Sequence, residues 1–357
     1  MPEEPAAAAA GDTLWHVRVR RTRWKPRDVD YLVHLGPSAP NGIGVAATDP
    51  VFIGRTVYEV VTASQTDTTL TFRLVGDSDG IAMRFEGRLE GDQAVGLATW
   101  MSDGVRNEDP FVATRRTVRR FDVPDPDGRL GKPVTPEEAG IASVLVDRFV
   151  LASEEARSDG LLILWRGRPL VARTFGRPEA PVPLREMAGG VAALAGDTER
   201  ASRADAFRRL AASAGLTSEW DTDALGRPDV DAGLRMTMRD LGVLGTILAR
   251  GGKHAGKQVV DPGWNETIRA SYPEPGIWGT RADPTRSREV PIGYALRDRQ
   301  GQLLAVYPEA DLVVVRTSTR TDNGYDRRYE QRDTFEWAEE MADVLAADKL
   351  GLAYAED

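Results

Sequence analysis

No cysteine occurs among the 357 residues, which excludes disulfides, thiolate nucleophiles, cysteine-ligated zinc and iron–sulfur clusters. Histidine is almost as scarce: His16, His34 and His254 are the only three, and no two stand at metal-ligand spacing. No cofactor is expected. Long apolar runs are missing as well. No stretch approaches the roughly 18 apolar residues that a membrane-spanning helix needs, so no membrane partner is expected. Cations are outnumbered: 46 Lys and Arg stand against 55 Asp and Glu, a net charge of −9. Nucleic-acid binding leans on a basic surface, and none is expected. Only five of the basic residues are lysine, an arginine bias of the kind GC-rich bacterial genomes produce. The opening MPEEPAAAAAGD carries an alanine tract behind an acidic leader, where a secretion signal needs positive charge. A disordered tail over 1–12 and a cytoplasmic protein are the expectation.

What is present changes character near the middle of the chain. From Thr13 to about Phe121 the pattern is strand after strand. Leu14, His16, Arg18 and Arg20 alternate with Trp15, Val17 and Val19, and Met83 and Phe85 alternate with Arg84 and Glu86. Period two marks half-buried strands. Turn signals recur at Pro40–Gly42, Gly76–Gly80, Gly91-Asp92 and Asp103-Gly104. Seven or eight strands without a convincing helix predict a small antiparallel barrel, lipocalin-like, over 13–121. Such a barrel has no open edge strands and is wide enough for one small ligand.

The run DVPDPDGRLGKPV at 122–134 is rich in proline, glycine and charge, and reads as a linker. Beyond it Thr135-Pro136-Glu137-Glu138 forms a capping box, followed by an apolar helical stripe of Ile141, Val144, Leu145 and Phe149. Two short strands, 160–166 and 169–175, turn at Gly167. Thr237 with Asp240 opens a second helix that Gly251-Gly252 closes. Two late strands, 302–307 and 311–317, precede a final amphipathic helix carrying Phe335, Ala338, Met341 and Leu345. This order predicts an α+β domain over 135–350.

The residues of this second half resemble a known family. PEEAGIASVLVDRFV with GLLILWRGRPLVARTFG, the stretch LTSEWDTDALGRPDVDAGLRMTMRDLGVLGTILARGGKHAGKQVVDPGWNETI, and QLLAVYPEADLVVVRTST are similar to the opening, the T-x-x-D-L helix region and the last core hairpin of serine β-lactamase and penicillin-binding-protein-like hydrolases, in their class C and esterase branch. The resemblance covers about 135–345 and implies that family's α+β fold. Its chemistry needs a serine three residues before a lysine, so that the amine can activate the hydroxyl. No S-x-x-K occurs anywhere. The helix that should carry it aligns as PLREMAGGVAALAG, which puts Arg185 at the nucleophile and Ala188 at the lysine. The Y-x-N/S motif is missing, and Arg297, Asp298 and Arg299 stand where a K-T-G or H-x-G should be. Only about twenty residues separate Gly196 from Leu216, where the family inserts a helical wall of its cleft. The resemblance thus implies a degenerate, shortened member that is not a serine β-lactamase or esterase.

Several groups remain as binding candidates, each with a plainer reading. Arg185, Glu186, Arg297, Asp298 and Arg299 could converge on an anionic ligand; solvated surface ion pairs would use the same residues. His16 and His34 are candidate acid–base groups facing a barrel interior, or structural histidines. Trp15, Trp24, Phe72, Phe85 and Trp100 would line a ligand cavity or simply fill a core. Asp221 and Asp223 have D-x-D spacing without the rest of a calcium loop. The leading functional expectation is a pseudoenzyme binding a small, largely apolar molecule in the barrel or between domains. Its alternatives are an enzyme of non-serine chemistry, of the cyclase or isomerase type, and a scaffold or homodimerisation module marked by a contiguous exposed apolar patch.

Overall fold

The structure is a computed structural model that describes residues 13–21, 27–37, 43–48, 57–76, 82–102, 104–125, 127–141, 143–155, 158–197, 199–264, 277–279, 293–298 and 301–319. The chain divides into two compact units, Met1–Val118 with Ala142–Arg148, and Arg119–Ile141 with Phe149–Asp357.

The first unit is an eight-stranded antiparallel barrel: β1 (Thr13–Arg21), β2 (Arg27–Leu35), β3 (Gly44–Thr48), β4 (Val57–Gln65), β5 (Thr69–Gly76), β6 (Ala82–Glu90), β7 (Gln93–Ser102) and β8 (Val105–Arg116). Each strand pairs with the next, and β1 closes the sheet by pairing with β8 as well as β2. The Gly91-Asp92 turn sits where the alternation puts it, with Glu90 opposite Gln93. Inward positions carry the apolar residues: Trp15, Val17 and Val19 on β1, Tyr31, Val33 and Leu35 on β2, then Phe72, Phe85 and Phe111. Gly87 faces Gly96 across β6 and β7. A Cβ on Gly96 would run into the Glu86 carbonyl, and one on Gly87 would meet the Phe111 ring at 2.8 Å. The bare backbone of Gly87 leaves room for the Phe111 ring, and that of Gly96 lets β7 lie close on β6.

That centre is filled by rings. Phe72 stacks on Phe85 at 4.4 Å, Phe111 and Tyr31 meet Phe85 edge-on at 5.4 and 6.0 Å, and Tyr58 meets Tyr31 at 6.1 Å. Each such pair adds about 0.5–1.5 kcal/mol beyond its burial. Tyr31 Oη, buried among them, donates to Met83 Sδ at 3.4 Å. Of the sequence's candidate ligand-lining aromatics, Trp15, Phe72 and Phe85 are therefore packed core. Trp24 lies outside the described residues.

In the second unit, the run after the barrel is tied down along its length. Phe121 bridges to Ala172, and Asp122 N–H donates to the Ala172 carbonyl. Asp125 accepts from the N–H groups of Arg129 and Leu130, and Leu130 and Val134 are buried. The Thr135–Glu138 capping box forms, each side chain accepting from the other's backbone N–H at 3.2 and 2.8 Å. The expected helix does not run on from it. After a 3₁₀ turn, Glu137–Ala139, Gly140 takes φ 76° and stops it, and a separate helix, α1 (Ser143–Glu155), follows, its residues up to Arg148 belonging to the first unit. Only glycine adopts that left-handed conformation without cost.

Two expected strands pair as β9 (Gly160–Trp165) and β10 (Arg168–Thr174). Then come β11 (Val182–Pro183), α2 (Glu186–Ala193), α3 (Arg200–Ser213), β12 (Glu219–Trp220), β13 (Leu234–Met236), α4 (Met238–Ala249), β14 (Lys253–His254), β15 (Lys257–Gln258), β16 (Ile277–Gly279), β17 (Tyr294–Arg297), β18 (Leu303–Tyr307) and β19 (Leu312–Thr317). The main sheet has the order β10-β9-β19-β18-β17-β16 and is antiparallel throughout, so the late hairpin inserts beside the early one. Leu241, Leu244, Ile247 and Leu248 of α4 share one core with Leu162, Leu164, Leu304 and Val313 of the sheet. α4 begins as its sequence predicts: Thr237 Oγ1 accepts from Asp240 N–H at 3.0 Å and donates to Asp240 Oδ2 at 2.7 Å. The buried Asp240 also receives Arg129 Nη1 at 2.8 Å. The short interval between Gly196 and Leu216 holds α3. The final amphipathic helix expected around Phe335–Leu345 lies outside the described residues.

Candidate functional site

Among the described residues, the turn into α2 is one of four places in the second unit where a residue other than glycine takes a positive φ, with Arg166, Ala255 and Asp311. The chain leaves β11, passes the buried Leu184, whose N–H donates to the Leu234 carbonyl, and reaches Arg185 at φ 48°, ψ −123°. A non-glycine residue there costs about 1–3 kcal/mol, and such strain collects at functional sites. Arg185 is half-buried, and its Nε is buried without a hydrogen-bond partner. Glu186 begins the helix. Ala188, the position the alignment gives to a lysine, is fully buried in the apolar core with Met187 and Val191. A Cβ on Gly190 would come within 3.0 Å of Leu296 Cδ2, so α2 lies close against β17 through its small residues.

Opposite this turn, β17 ends at Arg297, which is half-buried. Burial pushes the Arg297 guanidinium below the usual arginine range. Asp298 follows, buried, with its Oδ1 accepting from Gln302 N–H at 2.8 Å and its own N–H donating to the Gln302 carbonyl. Gln302 is almost wholly enclosed and bridges three segments. Its Nε2 donates to the Pro183 carbonyl at 3.2 Å and to the Ser318 carbonyl at 3.0 Å, while its Oε1 accepts from Ser318 N–H at 3.3 Å. Beside it, the buried Arg316 donates from Nε to Ser158 Oγ at 2.7 Å.

Gln302 thus ties Pro183, two residues before Arg185, to Asp298 at the end of β17. Of Glu186 only the backbone, at the start of α2, is described, and Arg299 lies outside the described residues. Sequence reasoning missed Gln302 and Ser318. The available signal was a polar residue opening an otherwise apolar strand, directly after Gly301.

The barrel candidates do not meet. His16 and His34, candidates for the interior or for structural roles, alternate with inward Trp15, Val17, Val33 and Leu35 and so lie on the outer face. There His16 Nε2 sits 2.9 Å from Asp30 Oδ1, which also takes Arg18 Nε at 2.8 Å. His34 Nδ1 lies 3.3 Å from Ser143 Oγ, both buried. Trp15 and Trp100 occupy opposite ends, opposite Arg115 and Asn107 of β8, about 26 Å apart at the usual rise per residue. Trp15 lies under Arg115, and Trp100 lies under Arg21 and donates to Asp109 Oδ2 at 3.0 Å. Asp223 of the D-x-D pair accepts backbone N–H groups of Leu225 and Arg227 and pairs with the Arg227 guanidinium, a closed loop rather than a ligand set. Among the described residues no cluster of three histidine or acidic side chains is placed to hold a metal, and no helix is long and apolar enough to cross a membrane.

No family model matches the chain. No curated protein matches it either. Among solved structures it is similar to a protein described as a 6-aminohexanoate-dimer hydrolase from Bacillus anthracis, at 13% identity and TM-score 0.39, over 55% of this chain and 80% of that one. It is similar to one described as a β-lactamase from Bacteroides dorei, at 10% identity and TM-score 0.41, over 54% and 97%. A third, a β-lactamase from Mycobacterium bovis, shows 14% identity and TM-score 0.31, over 54% and 94%.

Proposed function

We propose that the second unit is a catalytically inert domain of the β-lactamase-like kind, and that the chain acts by binding a small molecule rather than cleaving one. The observation that carries this reading is Arg185. It holds the strained turn into α2, the place the resemblance gives to a nucleophilic serine, and the helix behind it reads Glu186-Met187-Ala188-Gly189. No hydroxyl and no amine occupies that first turn. A nucleophile and its base must lie within hydrogen-bond reach of each other, and neither exists here.

The ligand is a small, largely apolar molecule carrying an anionic group, held at the turn by Arg185 with Arg297 nearby. An arginine Nε buried without a partner is costly unless a ligand completes it, and guanidinium matches carboxylate geometry. The first unit is a lipocalin-like barrel in topology only, since rings occupy its centre; the ligand position is the α2 turn instead. Two features of the second unit support the family reading. The stretches that resemble the family supply β9, β10, α4, β18 and β19 of the core, and the early and late hairpins share one sheet.

The test is thermal-shift screening of wild type and Arg185→Ala against a panel of aryl and alkyl carboxylates. The reading expects at least one carboxylate to stabilise wild type and lose that effect in the variant. Equal stabilisation of both proteins, or turnover of any ester or lactam in the panel, would overturn it.

A further inference from the structure

The outer face of the barrel carries an exposed apolar patch with a patterned border. Val95 (56% exposed), Leu97 (47%) and Met101 (54%) on β7 and Val112 (42%) on β8 point away from the core. Val95 stands opposite Val112 and Leu97 opposite Pro110, so four apolar side chains form one block. On the other side β6 presents Arg84, Glu86, Arg88 and Glu90, all exposed and alternating in sign. Leu97 is level with Glu86 and Val95 with Arg88.

This pattern is antisymmetric about one level of the sheet. Gly87, Gly96 and Phe111 share that level. A two-fold axis in the plane of contact, crossing the strands there, would place a second copy's Glu90 over Arg84 and its Arg88 over Glu86. The same operation lays Leu97 of the second copy over Val95, and its Val112 over Pro110. Along β6 each charge meets its opposite, and the four residues of the apolar block meet one another, as an isologous contact demands; farther out on β8 the same operation lays Glu108 over Thr114 and Arg106 over Arg116. Within one chain the same residues pair along β6, Arg84 with Glu86 and Arg88 with Glu90, and the contact exchanges those exposed partners across the axis; an apolar block rimmed by charge marks an interaction surface.

We propose that this face is a homodimer interface, its occupant a second copy of the chain related by that two-fold axis. Two barrels touching along three strands bury an area at the low end for stable complexes, so the dimer is concentration-dependent.

The border supplies a decisive test by sedimentation velocity across a concentration series. Glu86→Arg alone puts like charge against Arg88 of the second copy, and Arg88→Glu alone does so against Glu86. Each variant is expected to dimerise at least about tenfold more weakly than wild type. An equimolar mixture of the two restores opposite charges at both contacts and is expected to recover wild-type association. Both substitutions are on exposed positions, so unchanged melting temperatures show that the fold is intact. Wild type that stays monomeric at every concentration would overturn the proposal. So would single variants that associate as wild type does, or a mixture that shows no recovery.

Discussion

Gln302 and Ser318 hold each other both ways: the Gln302 amide donates to the Ser318 carbonyl at 3.0 Å and accepts from the Ser318 N–H at 3.3 Å. A side chain here does what a neighbouring strand would do for the end of β19, and with its second amide proton it also ties down Pro183. Gln302→Ala leaves these buried backbone groups without partners, at about 1–3 kcal/mol for each. The predicted loss is about 2–4 kcal/mol in urea unfolding. Gln302→Glu keeps the shape but turns an acceptor toward two carbonyls, so it is predicted to cost at least as much.

The strain at Arg185 can be separated from its side chain. Arg185→Ala and Arg185→Gly both remove the guanidinium, but only glycine relaxes a φ of 48°. Arg185→Gly is predicted to be more stable than Arg185→Ala by about 1 kcal/mol, despite glycine's greater freedom in the unfolded chain. Equal stabilities would show that the turn is not strained.

Asp30 gives the barrel an acid sensitivity of known sign. Burial works to raise its carboxyl, but hydrogen bonds from His16 and Arg18, with their charges, outweigh it and hold the group below its ordinary 3.8. A carboxylate depressed in the folded state contributes stability above its unfolded value, and that contribution is lost as pH falls through the folded value. Asp30→Asn is predicted to be less stable than wild type above about pH 5 and to converge with it as pH falls through the depressed folded value of the carboxyl. Parallel melting curves of the two proteins across that range would contradict the assignment.

Phe85 touches the rings of Phe72, Phe111 and Tyr31 and is fully buried. Phe85→Ala is predicted to destabilise by about 3–5 kcal/mol, the usual cost of a deleted core ring. A loss below about 1 kcal/mol would mean a barrel with room inside.

Much of this was legible in the chain because period two and period 3.6 are properties of local sequence. The hairpin at Gly91-Asp92, the Thr237–Asp240 cap of α4 and the β18–β19 pair all follow from spacing and turn chemistry. Alternation also contains the outward placement of His16 and His34, since Trp15, Val17, Val33 and Leu35 are their strand neighbours and the larger apolar set takes the inside. Other features depend on contacts between distant segments. Whether Trp15 and Phe85 line a space or fill it depends on rings from six strands arriving together. The break at Gly140 was visible only as a glycine inside an otherwise helical stretch. Gln302 reads as an ordinary strand residue until Pro183 and Ser318 are placed beside it.

The central claim is that no residue at the α2 turn carries out covalent chemistry. The measurement that tests it most directly is intact-mass analysis of the folded protein after exposure to a fluorescent penicillin and a fluorophosphonate. The account predicts an unchanged mass with both reagents. A stoichiometric adduct mapped to a serine of the second unit would contradict it, and would place a displaced nucleophile near the turn that Arg185 holds.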